Sequence, residues 1–271
     1  MNENNEFRLL TSFVLPAQVL EDGGPDAISH GMPTLDLHLA RLSIGHQAMA
    51  SAIPESWCAK ESAIGSDSIM NALDSTIRSH RAGSTAAHSL RVRLTVGPSH
   101  AVSLVTSDMP SVSQMKLLVS IDDRPTTYQG DPFLLTKTTH RTHYDHTRLR
   151  HGATYEPKEG DIFDVLMYNE SRQITETTIS NVAVRRKRQP AFSKDENGLI
   201  YPWITPRLSC GLLNGVRRQF LLKQHEIVEG IIMLDDLINQ GLENWEVMCF
   251  NEVRGSYHVS LIHHNGNSPT S

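Results

Sequence analysis

Between Phe7 and Ile262 the chain alternates short runs of period two with runs of helical period, and no run approaches the length of a membrane span. That alternation restricts the fold to mixed α/β. Phe7-Arg-Leu-Leu-Thr-Ser-Phe-Val14 reads as a strand, and the Gly-, Pro- and Asp-rich stretch from Glu21 to Pro33 as a loop. Leu35, Leu39 and Leu42 share a helical face in a run expected to reach Met49, and Ile69, Leu73 and Ile77 do so between Ser66 and His80. Leu90-Arg-Val-Arg-Leu-Thr-Val96 alternates cleanly and should pair with Val102-Ser-Leu-Val-Thr across the turn at Gly97-Pro-Ser-His.

Ser107-Asp-Met-Pro-Ser-Val-Ser is small, polar and broken by proline, which makes it the natural linker. It divides the chain into a small α/β domain (1–109) and a larger domain (110–271). In the second, strands are expected at Met115–Ile121, Asp161–Asn169, Ile174–Val184, Trp245–Asn251 and Tyr257–Ile262. Helices are expected from Thr138 to His151 and Gly215 to His225, with a short one from Asp235. Asp195-Glu-Asn-Gly198 signals a tight turn before Leu199-Ile-Tyr, and the residues from His264 read as a frayed tail. Pairing should be mostly antiparallel.

Composition narrows the function classes. A formal net charge of −5 provides no basic field for nucleic acid or acidic lipid. The polar, acidic start Met1-Asn-Glu-Asn-Asn-Glu matches neither a secretory signal nor a transit peptide. Cys58, Cys210 and Cys249 are odd in number and widely spaced, which fits a reducing, cytoplasmic setting rather than a disulfide framework. His140, His143 and His146 recur every third residue, but three such positions drift around a helix and carry no accompanying acid motif; no metal site is expected.

Three segments carry chemistry. Lys137, in Asp131-Pro-Phe-Leu-Leu-Thr-Lys-Thr-Thr-His-Arg141, follows an apolar pair; partial burial and the Arg141 charge would favour the neutral amine that a Schiff base needs. A solvated lysine is the ordinary alternative. Glu176 sits in the strand-like run Ile174-Thr-Glu-Thr-Thr-Ile-Ser-Asn181, where a core-facing acid needs a positive partner and a solvent-facing one does not. Gly211-Leu-Leu-Asn-Gly215-Val-Arg-Arg218 is a glycine-marked loop opening a helix, whose free amides suit an anion. Arg217 and Arg218 oppose the usual acidic preference there, and are either solvated or near something negative. Arg41, in His38-Leu-Ala-Arg-Leu42, could reach a phosphate or simply a surface acid. An amine, an acid and an anion-binding helix start are together the parts that hold pyridoxal phosphate (PLP).

In this order the motifs resemble the class IV aminotransferase family, PLP enzymes of fold type IV, from Leu9 to Leu261. The resemblance implies a small N-terminal α/β domain and a larger, mostly antiparallel pseudo-barrel domain. It implies Lys137 as catalytic Schiff-base lysine, and Arg41, Glu176, Asn181, Gly215, Val216, Arg217 and Asn251 around the cofactor. Tyr201-Pro-Trp-Ile-Thr-Pro-Arg-Leu with Cys210-Gly-Leu-Leu-Asn-Gly-Val-Arg-Arg-Gln-Phe220 looks most like the branch of 4-amino-4-deoxychorismate lyases, which release pyruvate and 4-aminobenzoate for folate synthesis. Arg217 stands where the aminotransferases usually have Thr or Ser. Aminotransfer on D-amino or branched-chain substrates, or a non-catalytic role, are the other readings. Arg141 and Arg254 are candidates for the carboxylates of a small-molecule substrate, and a homodimer is implied.

Overall fold

The computed structural model describes residues 7–83, 88–110, 115–187 and 202–263. The turn at Asp195–Gly198, the run after it, the tail from His264 and part of the linker lie outside them. The chain forms two compact units: Met1–Ser111 with Thr136–Arg141, and Val112–Leu135 with Thr142–Ser271.

In the first unit, β1 (Leu9–Leu15) leads into α1 (Ala17–Asp22), α2 (Gly24–Gly31), α3 (Leu35–Ala52), α4 (Trp57–Lys60) and α5 (Ser66–Gly83). Then β2 (Leu90–Gly97) and β3 (Ala101–Asp108) complete an antiparallel sheet of order β1-β2-β3. The alternation of Leu90, Val92, Leu94 and Val96 becomes one buried face. Ile69, Leu73 and Ile77 are likewise buried as a stripe along α5; burying such a side chain contributes about 1.5–3 kcal/mol. The loop expected from Glu21 to Pro33 is instead largely helical. Gly23 and Gly24 take positive φ (64° and 83°) to join α1 to α2, and Pro25 falls in the first turn of α2, where a missing N–H costs nothing.

The second unit contains β4 (Leu118–Ile121), α6 (Pro132–Leu135), α7 (Thr142–Arg150), β5 (Ile162–Tyr168), β6 (Ile174–Thr177), β7 (Asn181–Arg186) and β8 (Trp203–Pro206). It continues with α8 (Val216–Lys223), β9 (Ile227–Gly230), α9 (Leu234–Asn239), β10 (Trp245–Asn251) and β11 (Gly255–Ile262). The eight strands form one mixed sheet of order β6-β5-β4-β11-β10-β7-β8-β9. β4 runs parallel to β5 and β11, and β8 to β9; the other neighbours are antiparallel. The protein is therefore a mixed α/β fold with a small antiparallel sheet and a larger one. Val119, Leu166, Ile174, Val182, Val184, Val247 and Cys249 pack in its main core.

Two expectations need correction here. The helix placed from Thr138 begins at Thr142, because Lys137–Thr139 is extended and pairs with β1. The single strand placed over Ile174–Val184 is two strands, β6 and β7, separated by a tight turn.

Candidate active site

Lys137 belongs to the first unit. Its carbonyl accepts the N–H of Leu10 at 2.9 Å, Thr138 bridges Leu9, and the Thr139 N–H donates to Arg8 O at 2.9 Å. The lysine is thus held by backbone pairing on β1, and its side chain is half-buried. The next residue of β1, Thr11, serves the neighbouring helix. Its hydroxyl lies 2.6 Å from His38 Nδ1 and accepts a hydrogen bond from Arg41 Nη2. His38 and Arg41, three residues apart on α3, therefore share one anchor on β1, and Arg41 is not the surface residue of the ordinary reading. Gly45 lets α3 approach the same segment: a Cβ there would lie 3.1 Å from Thr136 Cγ2. Arg141 closes the segment and is half-buried.

Glu176 belongs to the second unit and is 3% exposed, which decides between the two sequence readings of that acid. The turn after it explains its setting. Thr177 N–H donates to Ser180 O at 2.8 Å, Thr177 Oγ1 to the same carbonyl at 2.9 Å, and Ser180 N–H to Thr177 Oγ1 at 3.1 Å. This turn ends β6 one residue after Glu176 and starts β7 at Asn181, so the acid and the amide face each other across it, with Asn181 Nδ2 3.4 Å from Glu176 Oε2. The four-residue spacing between them is the length of the turn.

A buried network holds the turn from behind. Asp164 Oδ1 accepts from Arg148 Nη1 at 3.2 Å, from the Val165 N–H at 2.8 Å, and from both the N–H and the hydroxyl of Thr178. Arg148 also donates to Phe163 O at 2.9 Å, and both ends of the ion pair are almost fully buried. Burial pushes the Asp164 carboxyl up, and the Arg148 charge pulls it back down. On the far side, Asn251 Nδ2 donates to Ser180 Oγ at 2.8 Å and to Ile179 O at 3.3 Å, while its Oδ1 accepts the N–H groups of Val253 and Arg254. Asn251 thus ties the end of β10 to the turn with both ends of its amide engaged. Arg254 lies 5.0 Å over the Phe163 ring.

Two tyrosines flank β6. Tyr144, on α7, donates to Glu176 Oε1 at 2.8 Å; Tyr128 lies 2.8 Å from Thr175 Oγ1. Both rings join Leu134 and Met167 in an apolar cluster beside the acid. Burial, and then the charge of Glu176, push the Tyr128 hydroxyl well above its ordinary range, so it stays protonated.

Asn181 also fixes the third motif. Its Nδ2 donates to Leu213 O at 2.9 Å, the carbonyl that also takes the Gly215 N–H. A Cβ on Gly215 would sit 2.1 Å from Asn181 Oδ1, so space rather than φ demands glycine. Gly215 caps α8 without a side-chain hydrogen bond, leaving the first amides of the helix, Val216 and Arg217, to an outside acceptor. Arg217 has a buried Nε with no hydrogen-bond partner among the described residues. Arg218 Nε is likewise unpartnered, but its other nitrogens are engaged: the residue is 1% exposed, donates to Pro206 O at 2.8 Å and pairs with Glu229, which makes it a structural residue. A desolvated acid, an open helix start and an orphaned guanidinium nitrogen fit the ring nitrogen and phosphate of PLP.

Sequence reasoning missed Tyr144, Arg148 and Asp164. The first two fall inside the helix expected over Thr138–His151 and the third inside the strand expected over Asp161–Asn169, with no other signal. The histidine triplet does not share one helix, since His140 precedes α7; His143 lies 3.0 Å from Thr126 Oγ1, and burial lowers its pKa despite the opposing charge of Asp122. The candidate ligand atoms of Asp122, Asp123 and His151 lie within 4.8 Å of one another, but Arg150 pairs with both acids, donating to Asp122 at 2.8 Å and Asp123 at 3.3 Å. Among the described residues, no helix is long and apolar enough to cross a membrane.

Comparison with known proteins gives consistent findings. A family model described as Amino-transferase class IV matches residues 27–262. A Schizosaccharomyces pombe protein provisionally named aminodeoxychorismate lyase is 30% identical over 167 residues, covering 60% of this chain and 63% of the relative. Saccharomyces cerevisiae aminodeoxychorismate lyase is 34% identical over 130 residues, 45% of this chain and 32% of the relative. The chain thus spans less than two thirds of the length of these relatives. Among solved structures, 4-amino-4-deoxychorismate lyase from Pseudomonas aeruginosa superposes with a TM-score of 0.61 at 16% identity, covering 97% of this chain and 85% of the other. The α-ketoglutarate- and PMP-bound form of a hypothetical aminotransferase from Mycobacterium tuberculosis gives 0.66 at 13% identity, covering 99% and 85%. These two likenesses establish the fold.

Proposed function

The chain belongs to the class IV aminotransferase family, a PLP-dependent family, and on that premise we propose that it is a 4-amino-4-deoxychorismate lyase releasing pyruvate and 4-aminobenzoate. The observation that carries the reading is the Glu176 carboxylate, buried and hydrogen-bonded by Tyr144 and Asn181, whose partner loop opens α8 with bare amides. The lyase reaction is favoured over aminotransfer by the names of the curated relatives and by Arg217, which replaces a hydroxyl residue after Gly215-Val216.

In this reading Lys137 Nζ would be the amine that anchors the cofactor, Glu176 would receive its pyridine nitrogen, and the amides of Val216 and Arg217, after Gly215, would hold its phosphate with Arg41. Asn181 and Asn251 keep the acid and the turn in place. Bound PLP supplies an electron sink for the carbon that bears the substrate's amine. The Lys137 amine would serve as general base for the proton on that carbon and as the acid that returns one to the departing enolpyruvate. The Glu176 charge is kept in a dry setting by Tyr128, Leu134, Tyr144 and Met167, which strengthens its hold on a protonated ring nitrogen. Arg141 and Arg254 are assigned to the substrate's two carboxylates. A homodimer and a cytoplasmic setting complete the proposal; Cys58, Cys210 and Cys249 are free thiols, all buried.

The test is a coupled assay on 4-amino-4-deoxychorismate that follows pyruvate and 4-aminobenzoate together. Equal release of both supports the lyase. Accumulation of pyridoxamine phosphate with an amino acid, and no pyruvate, replaces it with an aminotransferase. Borohydride reduction and peptide mapping should place the pyridoxyl label on residue 137.

A further inference from the structure

Glu176 is useful to a ring nitrogen only while it is ionised and held still. It is 3% exposed and lies beside the apolar cluster of Tyr128, Leu134, Tyr144 and Met167. One short contact bears on both conditions. The Tyr144 hydroxyl, on a residue 3% exposed, lies 2.8 Å from Glu176 Oε1 and 3.3 Å from Leu134 O. It has one proton to give, and the shorter contact, to an acid, is the stronger. The contact to Glu176 Oε1 is 0.5 Å shorter than the one to Leu134 O, so the acid is the favoured acceptor of that proton.

We infer that Tyr144 is a positioning residue: its hydroxyl holds Glu176 as a fixed carboxylate so that the acid can pair with the cofactor's ring nitrogen. The inference rests on the PLP reading above and adds a residue to it. Asn181 cannot substitute for Tyr144, because its contact with Glu176 is the longer one, at 3.4 Å, and its amide also serves Leu213 O.

The experiment is a double-mutant cycle on the full chain with PLP as the probe: parent, Tyr144→Phe, Glu176→Gln and the double variant. The phenylalanine ring keeps the packing against Tyr128, Leu134 and Met167 and leaves no cavity. Thermal unfolding of the cofactor-free proteins should therefore show Tyr144→Phe within a few degrees of the parent. PLP affinity, read by absorbance titration, should fall about tenfold in Tyr144→Phe, the scale of one hydrogen bond to a charged group. The spectrum of the bound cofactor should also become pH-dependent in a range where the parent's is flat. In the Glu176→Gln background the same substitution should change affinity less than twofold, about the error of such a cycle. Parent-like affinity and spectrum in Tyr144→Phe would overturn the inference, as would an equal tenfold loss in the Glu176→Gln background. A parent that takes up no PLP at all brings down the cofactor reading itself, and this inference with it.

Discussion

The segment that carries Lys137 and the turn that carries Glu176 are built by opposite means. The lysine is placed by main-chain hydrogen bonds from β1 to residues 137–139, and its own side chain contributes nothing to that pairing. The acid is placed by side chains: Tyr144 and Asn181 on the carboxylate, and Arg148, Asp164 and Thr178 behind the turn. Backbone pairing survives most substitutions, whereas a buried polar network does not. The contrast implies that chemistry and stability separate at the lysine and are fused at the acid.

The largest effect should come from the lysine. Lys137→Ala is expected to lower turnover at least about a thousandfold, while the cofactor-free chain still folds cooperatively in urea, because the main-chain pairing with β1 is kept. A large loss of stability would break the comparison at its first term. Next comes Arg148→Met, which strands a fully buried acid and should cost about 3–5 kcal/mol near neutral pH. Asp164 already sits above its ordinary pKa through burial, and losing Arg148 raises it further. A raised folded-state value means that the folded chain takes up the proton first. The deficit should therefore shrink as the pH falls through that value; an identical deficit near pH 7 and pH 5 would show that an unpaired charge is not its cause.

Gly215→Ala should be milder, about 1–3 kcal/mol, because the added methyl meets one side-chain oxygen, and Asn181 can shift. PLP affinity should fall with it, as the amides of α8 move; stability loss without affinity loss would separate two things the structure joins. The smallest effect is expected at Asp123, in the same unit but 39% exposed. Burial pushes its carboxyl up, but hydrogen bonding with Arg124 and Asp122 and the charges of Arg124 and Arg150 outweigh that and hold it down to about 2. Its contribution is present above the unfolded value of about 4 and lost as the pH falls toward 2. Solvent screening should keep the change in Asp123→Asn below about 0.5 kcal/mol at neutral pH. A larger value would mean that membership of the second unit, rather than burial, sets the cost.

What could be read in the sequence follows how local its cause was. The stripe Ile69, Leu73, Ile77 and the alternation Leu90–Val96 are written in neighbouring residues, and both appear as expected. The stretch from Glu21 to Pro33 misled because proline and glycine mark helix ends as well as loops, and here they do the former. The Thr138 boundary failed because residues 137–139 obey a partner near residue 9, which no window of periodicity contains. Glu176 could be singled out as an acid in an apolar run, but partners that hold it and its turn come from 14 residues away (Asp164 to Thr178) and from 32 (Tyr144). Arg218 looked like Arg217; its burial and its contacts with Glu229, Pro206 O and Asn214 distinguish it.

The pairing of β1 with residues 137–139 also bears on how the protein is made. Ribosomes deliver the first three strands and five helices well before residue 139, so a nascent first unit holds β1 with one of its edges still waiting for the segment 137–139. Closing that distant contact is slow relative to local helix formation, and an unfilled strand edge invites pairing with a neighbouring chain. Translation must therefore run well into the second unit before the first is safe from its neighbours.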